Sequence, residues 1–188
     1  MYAKCGALGK SGEVFDKIQV RNVVRWNELI GAYVHQGHSE QALLLFNKMK
    51  KDGFSPDAAT YICILKSCGN LKDVEKGKKI HDEVVTSGFF KKDVAIGNAL
   101  VDMYVKCGFL KIAEKVFDEL YSRTVVCFNV LIAGYAQNGQ GEKALKYFER
   151  MKKEGLSPNA ITYICTLKAC GNIGNFEKGI YAYILYDS

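Results

Sequence analysis

The chain has 188 residues, 48% of them hydrophobic and only two of them proline, so it carries ample surface for burial and little tendency to disorder. A formal net charge of +6 and a pI near 8.8 fit an acidic partner such as nucleic acid, and fit equally well a mildly basic protein without one. The longest apolar runs, near 59–65 and 125–136, are broken by polar residues well short of the ~18 that a membrane span needs.

From its first residue the chain is written twice. Met1-Tyr2, Lys4-Cys5-Gly6 and Leu8 recur as Met103-Tyr104, Lys106-Cys107-Gly108 and Leu110, and MKKDGFSPDAATYICILKSCGN from Met49 returns as MKKEGLSPNAITYICTLKACGN from Met151. Laying 1–86 over 103–188 gives about 40 identities in 86 ungapped pairs, so one large unit of 102 residues has been duplicated. Such periodicity belongs to repeat architectures. Met1 aligns with Met103, inside a predicted helix, so it is expected not to be a natural start, and the chain is expected to be a piece of a longer protein.

Within the large unit lies a shorter echo. Asn27, Leu29, Tyr33, Gly37, Ala42, Phe46 and Met49 keep the same spacing as Asn98, Leu100, Tyr104, Gly108, Ala113, Phe117 and Leu120, and as Asn129, Leu131, Tyr135, Gly139, Ala144, Phe148 and Met151. Leu29 to Tyr33 is a four-residue step, and Ala42, Phe46 and Met49 step by four and three, each set on one helical face. The glycine between the two runs marks a turn. Each echo is therefore a helix–turn–helix, in which the alanine permits close approach and the aromatic fills the layer between repeats. Between the first two echoes, Ala58 to Asp93 keeps the pairing but changes the residues, with Leu65 and Cys68 in the first helix and Gly77 and His81 in the second. Two short helices cannot bury their apolar faces alone; stacking on neighbours does so.

Three repeat lengths, 35, 36 and 31 residues, alternate along the chain. The segments VVRWNELIGAYVHQG…ALLLFNKMKKDGFSPD, TYICILKSCGNLKDVEKGKKIHDEV…SGF and GNALVDMYVKCGFLKIAEKVFDEL resemble the P, L and S motifs of plant PLS-type pentatricopeptide repeat proteins. The resemblance covers the whole chain: 1–22 the tail of an S motif, 23–57 P, 58–93 L, 94–124 S, 125–159 P and 160–188 a partial L. It implies an all-α, right-handed superhelical solenoid of helix-turn-helix hairpins. Tetratricopeptide repeats share the hairpin but carry a Trp-Leu-Gly-Tyr signature that this chain lacks; a protein-binding scaffold of that kind is the alternative.

The resemblance also implies single-stranded organellar RNA as the partner, read one base per repeat. In the family the fifth residue of a motif and its last residue meet the base edge, and an apolar second residue wedges against the base. Those positions are Val24, Asn27 and Asp57 in the first P motif, Ala95, Asn98 and Thr124 in the S motif, and Val126, Asn129 and Asn159 in the second P motif. Residues thirty apart are expected to converge, because each would stand near the start of one of two successive first helices. An amide offers both a donor and an acceptor, as a pyrimidine edge requires. Asparagines would also suit helix N-caps, but recurrence at one position in three repeats favours RNA. By the family's pairing rules, Asn27 with Asp57 prefers U, Asn129 with Asn159 prefers C over U, and Asn98 with Thr124 leans to pyrimidine. Thr124 stands where the family's S motif usually has Asp or Asn, and Ile62, paired with Asp93 in the L motif, cannot hydrogen-bond a base. Lys106, and Lys4 before it, stand near the end of a first helix where phosphates could pass.

The implied role is specificity for organellar C-to-U RNA editing in mitochondria or chloroplasts, with editing-complex proteins as further partners; transcript stabilisation or processing is the alternative. No catalytic arrangement appears, and His35, His38 and His81 join no repeated Cys, Asp or Glu. The seven cysteines include three duplicated pairs and no Cys-x-x-Cys. Cys63 and Cys68 lie about 140° apart around a helix and are expected to be packing residues in a reducing compartment. No cofactor, metal, membrane or small-molecule substrate is expected.

Overall fold

The computed structural model describes residues 22–174; 1–21 of the first S motif, Lys4 and Cys5 among them, and 175–188 of the partial L motif lie outside the described residues. The described chain is helical throughout, with no strand among the described residues: α1 Val23–His35, α2 Ser39–Lys51, α3 Ala58–Leu71, α4 Val74–Thr86, α5 Phe89–Lys92, α6 Val94–Lys106, α7 Leu110–Glu119, α8 Val125–Gln137, α9 Gly141–Lys153 and α10 Ala160–Asn172. Two compact bodies, Met1–Ala99 and Leu100–Ser188, divide within α6. In the first body α1, α2 and α3 pack mutually, α4 packs on α3, and α5 on α4. The second body repeats the scheme with α8, α9 and α10 in mutual contact and α7 against α8.

Hairpin turns form where the glycines fall. Gly37, Gly108 and Gly139 take φ of 84°, 84° and 72°, the left-handed region that glycine enters without steric cost. The N–H of the following residue then donates back to the carbonyl of Tyr33, Tyr104 and Tyr135 at 2.8, 2.9 and 2.9 Å. These bonds satisfy a carbonyl that the helix end would otherwise leave orphaned.

The periodic residues make the core. Ala42, Ala113 and Ala144 are fully buried, as are Met49, Leu100, Phe117, Leu131 and Met151, with Phe46 and Phe148 nearly so. Tyr135 and Tyr104 join them, whereas Tyr33 is half-buried and meets His38 edge-on at 6.2 Å. Trp26 is completely enclosed and tilts against Phe54 at 6.3 Å; Phe128, its counterpart in the second copy, meets Phe117 edge-on at 4.8 Å.

Helix α5 has no counterpart in the sequence-based expectation. Gly88, at φ 77°, turns the chain so that Phe89 and Phe90 form a single turn. Phe89 then reaches Tyr61 at 5.8 Å and Phe90 reaches His81 at 6.0 Å. Aromatic burial holds this turn, since four residues cannot support a helix by propensity.

One close approach belongs to the second body alone. A Cβ on Gly141 would stand 2.5 Å from the Ala169 carbonyl oxygen and 2.7 Å from Ile173 Cγ2. In the first copy the equivalent residue is Ser39, which is buried and accepts a hydrogen bond from Asn70 Nδ2 at 3.3 Å. Gly141→Ala is therefore expected to destabilise the second body by about 1–3 kcal/mol, because backbone cannot yield as a side chain can. That penalty outweighs the ~1 kcal/mol that alanine gains in helix propensity, and the urea midpoint measures it.

Candidate nucleic-acid interface

Each first helix opens on a short polar side chain that accepts from its own first turn. Arg25 N donates to Asn22 Oδ1 at 3.0 Å, Thr60 N to Asp57 Oδ1 at 2.9 Å, Cys127 N to Thr124 Oγ1 at 3.3 Å, and Thr162 N to Asn159 Oδ1 at 3.1 Å. Ahead of α6, Ala95 N donates to Asp93 Oδ1 at 2.8 Å. The N-caps are thus the last residues of motifs. Asn27 and Asn129 cap nothing: they lie one turn inside α1 and α8, which removes the capping explanation for both.

Within each body two successive first helices, α1 with α3 and α8 with α10, lie side by side, so the cap of the later one meets the amide of the earlier. Asn27 Nδ2 donates to both carboxylate oxygens of Asp57, at 2.9 and 3.0 Å. In the second body Asn129 Nδ2 donates to Asn159 Oδ1 at 3.1 Å. A third residue completes each cluster. Thr60 Oγ1 donates to Asn27 Oδ1 at 2.5 Å, and Thr162 Oγ1 to Asn129 Oδ1 at 2.6 Å. Both threonines are fully buried. Sequence reading missed them as site residues, although Asp-x-x-Thr and Asn-x-x-Thr recur at the 102-residue offset and are capping-box spacings.

Burial raises the Asp57 pKa, but hydrogen bonds from the Thr60 backbone, Asn27, the Thr60 hydroxyl and the Ala59 backbone outweigh it, and the carboxyl sits below its ordinary 3.8. At neutral pH Asp57 is therefore an acceptor and an anion. A depressed folded pKa contributes stability that is present above the unfolded value and lost as pH falls through the folded one. Thermal melts should accordingly show no Asp57-dependent change between about pH 8 and 5, and an acid loss below about pH 4 that Asp57→Asn reduces.

The apolar second positions face solvent: Val24 is 63% exposed and Val126 57%, and Ala95 is exposed as well. Asn98 is half-buried on α6, in the first body, while Thr124 caps α8 in the second. Ile62, at the fifth position of the L motif, is half-buried, but its duplicate Ile164 is 65% exposed, as is Ile161 at 58%. Lys106 stands at the end of α6 with its ammonium 2.7 Å from Asp102 Oδ2, so a phosphate would compete with that carboxylate. Cys68, Cys127 and Cys170 are buried, whereas Cys63, Cys107 and Cys165 are half-buried. Burial pushes the thiols of Cys63, Cys127 and Cys165 up, which favours the neutral packing form.

Hairpins that pair first helix with first helix and present capped, amide-bearing helix starts define a helical-repeat protein with a polar edge. The family model described as "PPR repeat family" matches residues 21–70 and 123–172, and one described as "PPR repeat" matches 59–89 and 98–125. The chain belongs to the pentatricopeptide repeat family. In Arabidopsis thaliana, pentatricopeptide repeat-containing protein At2g33680 is 40% identical to it over 179 residues, covering 95% of this chain and 24% of that protein. The chloroplastic protein DOT4 is 37% identical over 177 residues, covering 94% and 20%, and the mitochondrial At2g03880 is 39% identical over 181, covering 96% and 28%. This chain thus spans about a quarter of the length of these relatives. Among solved structures, PPR10 from maize matches with a TM-score of 0.75 at 24% identity, over 98% of this chain and 27% of that one. PPR10 in complex with an 18-nt psaJ RNA element matches at 0.82 and 23%, over 96% and 28%. At such identities the likeness is one of fold, an all-α solenoid of hairpins.

Proposed function

We propose that this chain binds single-stranded RNA and contributes base specificity through Asn27 with Asp57, Asn98 with Thr124 and Asn129 with Asn159. The observation that carries the reading is the paired geometry of the first and third sets. Each is an amide held against the cap of the next first helix, with an exposed valine three residues earlier that can lie against a base. Repeats of this kind read one base each, and the RNA-bound relative shares the fold. From N- to C-terminus the array is expected to read U, any base, pyrimidine, then C or U.

The cellular role proposed is specificity for C-to-U editing in a mitochondrion or chloroplast, the chemistry belonging to editing-complex proteins or to a domain outside these residues. The cycle of three motif lengths and relatives named as mitochondrial or chloroplastic support it. Removing the full-length protein and sequencing organellar transcripts tests it: specific cytidines should remain unconverted. Altered transcript ends with normal editing would transfer the role to processing or stabilisation.

Binding is tested on the chain itself by fluorescence anisotropy with short RNAs. A few base contacts of about 1–3 kcal/mol each oppose association costs of roughly 4–15 kcal/mol, so affinity should be about micromolar or weaker. It should also fall with salt, because Lys and Arg displace counterions. Equal binding of matched and oligo(A) RNA, or tight binding indifferent to salt, would contradict the proposal.

A further inference from the structure

We infer that Thr60 and Thr162 are specificity-positioning residues: each hydroxyl, supplied by the motif that follows, holds the amide of Asn27 or Asn129 so that one fixed donor–acceptor edge faces a pyrimidine. This rests on the reading of those pairs as base-contacting.

The geometry is fixed from the backbone outward. A backbone N–H can only donate, so the Asn159 atom 3.1 Å from Thr162 N is the oxygen. The Asn129 atom 3.1 Å from that oxygen must then be the amino nitrogen. Asn129 Oδ1 consequently faces Thr162 Oγ1 at 2.6 Å. Neither amide oxygen near the hydroxyl has a proton, and Asn129 Oδ1 is nearer than Asn159 Oδ1, at 2.6 against 3.1 Å, so the single hydroxyl proton points at Asn129 and the hydroxyl lone pairs take the Asn159 N–H at 3.1 Å. The first body repeats this arrangement with a carboxylate in place of the amide: 2.9 Å from Thr60 N to Asp57 Oδ1, 2.5 Å from Thr60 Oγ1 to Asn27 Oδ1, and 3.2 Å from Asp57 N to Thr60 Oγ1. The lock is common to two sites whose caps differ in charge.

Three consequences follow for recognition. The amide torsion is an sp³–sp² rotation with a broad intrinsic preference, so without the hydroxyl the amide plane is loosely held. With it, one N–H and one oxygen lone pair are consumed within the protein and one of each remains for a base. Water cannot stand in, because Thr60 and Thr162 are fully buried. Cys127 occupies the same place three residues after a cap, and its thiol lies 3.1 Å from the Thr124 carbonyl and 3.2 Å from Thr124 N.

The test uses the full chain and RNAs that differ in one base, placed opposite either Asn129 or Asn27. Thr162→Val should reduce the C-to-purine affinity ratio at the Asn129 base about fivefold and leave the ratio at the Asn27 base unchanged. Thr162→Ser, which keeps the hydroxyl, should restore it. Should the valine variant fold poorly, Thr162→Cys, which borrows the cap found at Cys127, gives the same readout. If loss of the hydroxyl lowers binding to every RNA in proportion to the folded fraction, with the ratio intact, Thr162 is structural and the inference is overturned. Asn159→Asp separates the two levels. A shift from C toward U with it, but no effect of Thr162→Val, leaves base reading standing and removes the lock; no shift with Asn159→Asp removes base reading, and the lock with it.

Discussion

Replacing Asp57 with asparagine should move the base preferred at the first pair from U toward C while leaving the second pair unchanged. Asp57 presents only acceptors, and its carboxyl is ionised through the neutral range, which suits the N3–H that uracil donates. Asparagine at that position would reproduce the second pair, where Asn159 Oδ1 is taken by Thr162 N and Asn129 Nδ2. Its amino group is then left for the N3 acceptor of cytosine. The fold should survive, because Asn and Asp are equivalent N-caps. Removing one negative charge raises affinity for every RNA somewhat, so the U-to-C ratio is the quantity to measure. A change of about tenfold, or ~1.4 kcal/mol, is expected. An unchanged ratio in a folded variant would reduce Asp57 to an ordinary cap.

The largest stability effect is expected at Trp26. This side chain is fully buried, and it precedes Asn27 on the same helix, so the proposed site and the core meet within two residues. Trp26→Ala should cost about 3–5 kcal/mol, the range for deleting a large enclosed aromatic. Trp26→Phe should cost under about 2 kcal/mol, because the second copy uses Phe128 in that register and volume is better kept. Urea denaturation followed by circular dichroism separates the two. A Trp26→Ala variant with an unchanged midpoint would mean that the layer between α1 and the 52–57 loop collapses to fill the void.

The hairpins and their buried faces were legible because repetition supplies what a single helix pattern lacks. Three echoes with one spacing identify Gly37, Gly108 and Gly139 as turns and Ala42, Ala113 and Ala144 as contact residues. The meeting of Asn27 with Asp57 was legible for the same reason, since only stacking brings residues thirty apart together. Thr60 and Thr162 were not. A threonine three residues after a cap already has a local explanation, and the reach of its hydroxyl to the preceding helix depends on how closely two first helices approach. Helix α5 escaped because Gly88 reads as a stop, and nothing local shows that Tyr61 and His81 wait to receive Phe89 and Phe90. The tightness at Gly141 escaped too, since its duplicate is the larger Ser39.

The residue that closes one motif is also the cap of the next first helix, as Asp57, Thr124 and Asn159 all are. Under the proposed base reading, an array built this way writes its message in a restricted alphabet. Only side chains that can cap a helix start are admissible letters, and replacing Ser, Thr, Asn or Asp there by alanine costs about 0.5–2 kcal/mol per repeat. Within that alphabet, spelling can drift at almost no structural cost, so duplicated copies can acquire different messages while the scaffold stays the same. Asp57 and Asn159 are such a pair, differing at the cap within a stretch, 49–70 against 151–172, that keeps most of its residues.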